Sequence, residues 1–424
     1  MATGPLDVVV VGGSLAGLMH GIMIKRLGHN VRILEQYPTS IREGQAAGMS
    51  TGVYGQKFLE KHDRVQDRPH FVTASYLRVV DVDLNLTELR TVPFKLTNWK
   101  TFYYRLRANF DSLSSEYVLK PPQSLPTDGT ILYDVGKRVK GVAYEKESGL
   151  TITSEDVETG VSTSLHPDLI IAADGANSTI RKLLFPELET PYAGYLTWRG
   201  VIPEKSISEE TLNFLHDKAI RYYTDGSYIV VYIIPGEDGN ITPGERHVNL
   251  VWYYNCAKES TEYTTAMTDI DGLQHRRTVP FGKVQPKVWA KQQAYSSTTF
   301  AAPIKEMVDK IDKPFVTAIS DCMSPRCSFY DGKLFLVGDA LALFRPHVAE
   351  STNQSALHCL LLEKLLQGQL DLAAYEKEVM MFAHTTLLWS REIGSQYLYS
   401  RIGYIYHKTR SRLARKGKRW GVRL

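Results

Sequence analysis

The chain has 424 residues, enough for about two or three domains, and its 43% hydrophobic and 23% charged composition excludes a disordered or fibrous protein. No apolar run is long enough to cross a bilayer. The opening Met-Ala-Thr-Gly-Pro-Leu-Asp lacks the basic and hydrophobic stretches of a secretory signal, so a cytoplasmic protein without an integral membrane segment is expected. The net charge of +4 is uneven: nine basic residues between Arg401 and Arg423 follow the last acid, Glu392, and this tail is read as a solvated end that takes no nucleic acid.

In chain order, residues 7–11 form a continuous apolar, β-branched run, the pattern of a strand covered on both faces in a parallel sheet. Glycines follow from Gly12 to Gly17. A helical segment over 18–27 and a short strand over 31–34, ending at Glu35, complete a βαβ unit. Helical character recurs over 97–113, residues 131–154 read as paired strands about a Glu-Ser-Gly turn, and 169–173 as another buried strand. Between 192 and 254 the texture changes to alternating aromatic-rich runs, 221–234 and 247–254, broken by a Pro-Gly-Glu-Asp-Gly turn. This predicts a more antiparallel, substrate-facing sheet. A buried strand returns over 334–337, and helix is expected from about residue 350 onward.

There are no repeats or low-complexity linkers, so interleaved domains are expected. The boundaries are 1–75, 97–190 and 320–375 for a nucleotide-binding domain, 76–96 and 191–319 for a substrate domain, and 376–424 for a C-terminal helical segment. The four cysteines, Cys256, Cys322, Cys327 and Cys359, lack metal-ligand spacing and read as buried thiols, and no metal is expected.

Three motifs carry chemistry. In the first, Gly12, Gly13, Ser14 and Gly17 join strand to helix. Gly12 allows the tight turn, the small Ser14 admits a pyrophosphate, and Gly17 permits close packing of helix on sheet. The helix N-terminus favours anions, and Glu35 is placed to accept hydrogen bonds from an adenosine ribose. The second motif ends a buried strand at Asp174-Gly175, with Ser178 and Arg181 in the helix that follows. The third, Gly338-Asp339, ends another strand and leads to Pro346, His347 and Asn353. Asp339 is placed to bind a ribityl hydroxyl, and a helix opening near Pro346 would stabilise negative charge on a reduced ring.

In this order and at these separations, the three motifs resemble those of the class A FAD-dependent aromatic hydroxylases, the p-hydroxybenzoate hydroxylase fold. A closer similarity, to the 2,6-dihydroxypyridine 3-hydroxylase branch, rests on Gly12-Gly13-Ser14, on residues 192–200 and 251–255, and on Arg345-Pro346-His347. The resemblance implies an α/β fold with a Rossmann-like FAD-binding domain interleaved with a mostly antiparallel β-sheet substrate domain. It implies NAD(P)H as a transient cosubstrate, with NADPH favoured, and O2 inserted into an electron-rich aromatic or N-heteroaromatic ring through a flavin C4a-hydroperoxide.

Carried over residue by residue, Gly12, Gly13, Ser14, Gly17, Glu35 and Arg107 would hold the nucleotide half of FAD. Asp174 and Gly175 would serve FAD and nicotinamide, Gly338 and Asp339 the ribityl chain, and Pro346 would lie beside the isoalloxazine. Two departures predict a differently shaped flavin-facing loop: Ala349-Glu-Ser351 replaces the usual glycines, and His358 replaces the usual acid of the following helix. Tyr195, Trp198, Arg221, Tyr232 and Trp252 are expected to line the substrate pocket, against the plainer reading that alternating aromatics are core. His347 is a candidate base for a substrate hydroxyl, or a structural histidine. The expected partners are a small aromatic molecule and O2, with a homodimer allowed. Two other readings stay open, a membrane-associated flavin epoxidase or reductase of an isoprenoid and a flavin-binding interaction protein without turnover.

Overall fold

The computed structural model describes residues 4–39, 47–66 and 69–420, with side chains as far as Lys416. The hydrophobic run Asp7–Val11 is the second of the two central strands in a six-stranded sheet. The order is Ser328–Phe329, Leu334–Leu336, Leu169–Ala172, Asp7–Val11, Asn30–Leu34 and Ile131–Asp134. All neighbours are parallel except the Ser328–Phe329 edge. Burial on both faces explains why the inner strands Leu334–Leu336, Leu169–Ala172 and Asp7–Val11 carry continuous apolar runs rather than an alternation. Helices Leu15–Arg26, Trp99–Asp111 and Ser351–Leu366 cover the sheet and share one core with it. Residues 131–154, expected as one pair of strands, divide: Ile131–Asp134 joins the parallel sheet, while Lys137–Glu145 pairs with Gly149–Asp156 in a separate three-stranded sheet.

The second layer is a nine-stranded, mostly antiparallel sheet. Its order is Thr278–Val279, Phe315–Ser320, Tyr192–Pro203, His247–Asn255, Ser227–Ile234, Lys218–Thr224, Val72–Val80, Leu86–Asn98 and Gly48–Ser50. The expected run 221–234 is two strands, turned at Asp225-Gly226, where Gly226 takes φ +70°. Membership of this sheet corrects two boundaries. Val72–Val80 belongs to it as a whole, so the division at residue 75 cuts a strand, and Gly48–Ser50 pairs with Leu86–Asn98 although it lies far inside the nucleotide-binding segment. Pairing rather than composition assigns such strands.

Three helices end the chain: Ser351–Leu366, the 27-residue Leu372–Leu398 and Arg401–Trp420. The α-helix expected from about residue 350 begins at Ser351, and Pro346 opens only a single 3-10 turn, Pro346–His347–Val348, closed by Ala349 in the left-handed region at φ 54°. Among the described residues no helix is long and apolar enough to cross a membrane. The four cysteines are buried and free.

Candidate active site

The carboxyl ends of the parallel strands open onto a cavity of about 380 Å3, the position at which α/β sheets bind ligands. Gly12, Ser14, Glu35, Asp174 and Gly175 line it, together with Trp99, Lys137 and Arg138. Gly12 takes φ +96°, and a Cβ there would stand 2.5 Å from the Ala173 carbonyl oxygen. A Cβ on Gly17 would lie 1.9 Å from the Gly12 oxygen, so the first helix packs on the turn at a distance only glycine permits. Ser14 is the N-cap of that helix and makes no side-chain cap bond, which leaves the first-turn N–H groups directed at the cavity. The Gly13 N–H donates to Glu35 Oε2 (2.8 Å) and the Tyr37 N–H to Oε1 (3.0 Å), which fixes the carboxylate at the rim.

Arg107 stands behind this turn rather than in the cavity. Its guanidinium is held by Asp111 at 2.7 Å, bonds the Tyr103 hydroxyl and stacks 3.8 Å over the Tyr133 ring. Tyr133 in turn donates to the Gly13 carbonyl at 2.9 Å, so the cation supports the loop through an intermediary. The direct flavin contact expected of it is not the geometry found here, because an i,i+4 acid captures the fork.

The Asp-Gly and Gly-Asp motifs meet through a residue whose role was not legible. Arg181 donates to the carbonyls of Asp339 (2.9 Å), Ala340 (2.9 Å) and Ala176 (2.6 Å). Asp174 and Asp339 each keep one buried oxygen, Oδ1, without a partner among the described residues. Burial pushes both carboxyls upward, offset at Asp174 by Ser178 and at Asp339 by the nearby Arg277. His358 takes the place of the expected acid by a different means. The Gly338 N–H donates to its Nδ1 (3.1 Å), so its Nε2 carries the proton, while His20 donates from Nδ1 to the Ala16 carbonyl (2.7 Å) and keeps an Nε2 lone pair. Both imidazoles are neutral because burial lowers their pKa, to about 4 for His20 and about 3 for His358.

Across from these loops, strand alternation sorts the residues expected to line a substrate pocket. Tyr195, Arg221 and Tyr232 share one face of the nine-stranded sheet with Arg199, Tyr228, Asn249 and Tyr253. Trp198 and Trp252 point to the other. There they pack with Trp289, Phe300 and Ile304 of the covering helices, and the Trp252 Nε1 donates to Ser227 at 2.7 Å. Both tryptophans are thus core, a correction that follows from the two-residue period. On the first face the Gly48 N–H donates to Asn249 Oδ1 (2.9 Å), and a Cβ on Gly48 would come within 2.8 Å of the Tyr232 ring. Asn249 Nδ2, Arg199 Nε and Arg221 Nε are buried there without partners among the described residues.

Two family models match, one described as "FAD binding domain" over residues 5–54 and one as "FAD binding domain-like" over 192–321. Among curated proteins, the chain is 28% identical to 2,6-dihydroxypyridine 3-monooxygenase of Paenarthrobacter nicotinovorans, over 81% of this chain and 78% of that one. It is also 28% identical, with the same coverage, to 6-hydroxynicotinate 3-monooxygenase of Pseudomonas fluorescens. The solved structure of 2,6-dihydroxypyridine-3-hydroxylase from Arthrobacter nicotinovorans superposes with a TM-score of 0.79 over 94% of both chains at 23% identity. A salicylate hydroxylase substrate complex superposes at 0.64 over 97% of this chain and 98% of that one, at 16% identity. The chain is an FAD-dependent monooxygenase with the aromatic-hydroxylase fold.

The residues of the monooxygenase fit that cofactor: a glycine cradle that any Cβ would fill, a helix N-terminus at the cavity, and two orphaned carboxylate oxygens at the strand ends. The turn after the Gly-Asp motif divides its side chains. Pro346 is exposed, whereas His347 turns inward between the sheet and the helix Leu372–Leu398. Its Nε2 is bonded to the Tyr195 hydroxyl (2.6 Å), its Nδ1 to the Tyr228 hydroxyl, and its ring lies 4.5 Å from that of Tyr253. Burial, with Arg345 and Arg221 nearby, holds its pKa well below the usual histidine value. A neutral imidazole has one N–H and one lone pair, and two tyrosines use both. His347 is therefore not presented as a base open to substrate. The neighbouring Arg345, bonded to Asp321 at 2.5 Å and to Tyr399 at 2.9 Å, anchors the same turn.

Proposed function

We propose that this monooxygenase hydroxylates a small, electron-rich N-heteroaromatic ring that already carries a hydroxyl or oxo group, held against the inner sheet face by Arg199, Tyr232 and Asn249. The observation that carries the reading is the cluster of buried donors without partners, Asn249 Nδ2, Arg199 Nε and Arg221 Nε, on the face that meets Gly48. A buried donor left unpaired is costly, so a ligand rich in acceptors, ring nitrogen and exocyclic oxygen, would recover that cost. The two curated relatives named for hydroxylated pyridines support the same substrate class.

FAD, when bound, takes a hydride from NAD(P)H and activates O2, so that substrate, NAD(P)H, a proton and O2 yield hydroxylated product, NAD(P)+ and water. The protein's own residues do the rest. Gly12, Gly13, Ser14, Gly17 and Glu35 seat the adenosine half, while Asp174, Gly175, Gly338 and Asp339 hold the strand-end loops that receive the remainder. Pro346 stands at the exposed edge of its turn, and His347 fixes that turn against the sheet through Tyr195 and Tyr228. Arg199 and Asn249 orient the ring, and the guanidinium favours the ionised hydroxyl that makes the ring nucleophilic.

The test is a panel of hydroxypyridines, hydroxynicotinates and carbocyclic phenols with NAD(P)H and 18O2, scored by cofactor oxidation and product mass. One labelled oxygen in a hydroxypyridine-type product is expected. Turnover confined to carbocyclic phenols would overturn the substrate class, and label from water would overturn monooxygenation. No observation at the sheet face favours the isoprenoid or the non-catalytic reading, since the unpartnered groups there, Asn249 Nδ2, Arg199 Nε and Arg221 Nε, are donors that suit a polar ring.

A further inference from the structure

We propose that the C-terminal helix, Arg401–Trp420, docks on an anionic lipid surface and holds the enzyme there without crossing the bilayer. The helix packs on the preceding one through small side chains, with Ser411 and Ala414 fully buried and Arg415 bonded to Glu392 at 2.8 Å. The opposite side is not the polar surface expected of a solvated tail. Ile402 is 81% exposed, Ile405 and Tyr406 54% each, and Leu413 58%. At about 100° per residue, these four and the exposed Thr409 fall within a sector of roughly 100°, turned away from the packed side. Arg401, Lys408 and Arg412 border this stripe on one side and Arg410 on the other, while Lys416 lies within the sector one turn beyond Arg412.

Charge chooses the occupant. No Asp or Glu follows Glu392, so a second copy of the helix would bring two basic rims together. Nucleic acid would need the charge but has no use for an apolar stripe of Ile and Leu. An apolar stripe bordered by Lys and Arg is the form of a helix lying in the plane of an anionic membrane surface, apolar side down. At 20 residues with basic groups throughout, this helix is not a membrane span.

Full-length, flavin-loaded protein is sedimented with vesicles of phosphatidylcholine alone and of phosphatidylcholine with phosphatidylglycerol. Binding to the anionic vesicles is expected to be at least about tenfold tighter than to the neutral ones, and to fall in high salt. The triple substitution Ile402→Ser, Ile405→Ser, Leu413→Ser alters only exposed positions and keeps every charge. It should lower anionic-vesicle binding by about tenfold or more while leaving flavin content unchanged. Arg401→Gln with Arg412→Gln and Lys416→Gln should remove the preference for anionic vesicles. No sedimentation with anionic vesicles would overturn the proposal, as would undiminished binding by the serine variant. So would a dimer, seen by sedimentation velocity, that the serine variant turns into a monomer. The active site shares no residue with this surface, so neither result bears on the catalytic reading.

Discussion

Arg181 donates to the main-chain carbonyl of Asp339 across 2.9 Å, although 158 residues separate them in the chain. The same guanidinium bonds Ala340 and Ala176, so one buried cation joins the loop after Asp174-Gly175 to the loop of Gly338-Asp339. Hydrogen bonds to a charged group contribute about 1.5–3 kcal/mol each. Arg181→Lys keeps the charge but loses the fork. It is expected to lower FAD retention by about tenfold or more, read as flavin lost on desalting, with a lower melting temperature. Full flavin content and unchanged melting in that variant would mean the two loops hold their places without the staple.

The glycine cradle makes a sharper demand. Gly17→Val would force a side chain into the Gly12 carbonyl, where even a Cβ would sit at 1.9 Å, at a cost on the order of 3 kcal/mol. The variant should purify largely free of flavin. Glu35→Ala should fold but bind FAD more weakly, since it removes the acceptor for the Gly13 and Tyr37 N–H groups. Equilibrium titration with FAD after flavin stripping measures both, and wild-type affinity in both would remove the nucleotide assignment of the loop.

The two faces of the nine-stranded sheet predict opposite phenotypes. Asn249→Ala and Arg199→Lys alter the inner face and should raise KM or lower kcat by about tenfold with little change in melting. Trp252→Ala alters the covered face and should cost about 3–5 kcal/mol of stability, read by denaturant unfolding. A Trp252→Phe variant that keeps stability but changes substrate preference would place that residue back in the pocket.

His347→Phe deletes both tyrosine bonds at once. FAD should remain bound, because the nucleotide cavity is elsewhere. The turn at Pro346 should loosen, and more of the NAD(P)H consumed should appear as hydrogen peroxide instead of product. The ratio of product to peroxide is the readout, and an unchanged ratio would reduce His347 to packing.

Acid should weaken the fold through its buried imidazoles. Burial lowers the pKa of His20 to about 4 and of His70 and His358 to about 3, and that of His347 falls well below its usual value. The unfolded chain takes up protons from about pH 6.5 downward while the folded chain does not. Stability is therefore complete above that pH and is lost as the pH falls toward the folded values. Each histidine contributes up to about 1.4 kcal/mol per pH unit in that window. Unfolding midpoints measured from pH 7.5 to 5 should drop steadily, and a flat profile would contradict neutral buried histidines.

How far the sequence reached follows from what each feature depends on. The βαβ unit, its glycines and Glu35 are local: a turn at φ +96° and a helix at contact distance demand glycine wherever they occur, so residues 7–35 announce their fold alone. Period-two alternation likewise marked the strands of the substrate layer, yet it could not say which of its two faces meets the nucleotide domain. Trp198 and Tyr195 therefore looked alike until pairing and covering helices separated them. Arg181, Asn249 and His358 act on partners far along the chain, and no local pattern marks a side chain whose acceptor lies in another motif. The direction of His347, captured by two tyrosines, was decided by partners that only packing brings within reach, whereas Arg107 is captured by Asp111, its own i,i+4 neighbour, a local pairing that the sequence reading passed over. Composition read the basic tail as a solvated end. Its exposed apolar stripe appears only once Ser411 and Ala414 are seen to face the neighbouring helix, because helical phase is set by what the helix packs against.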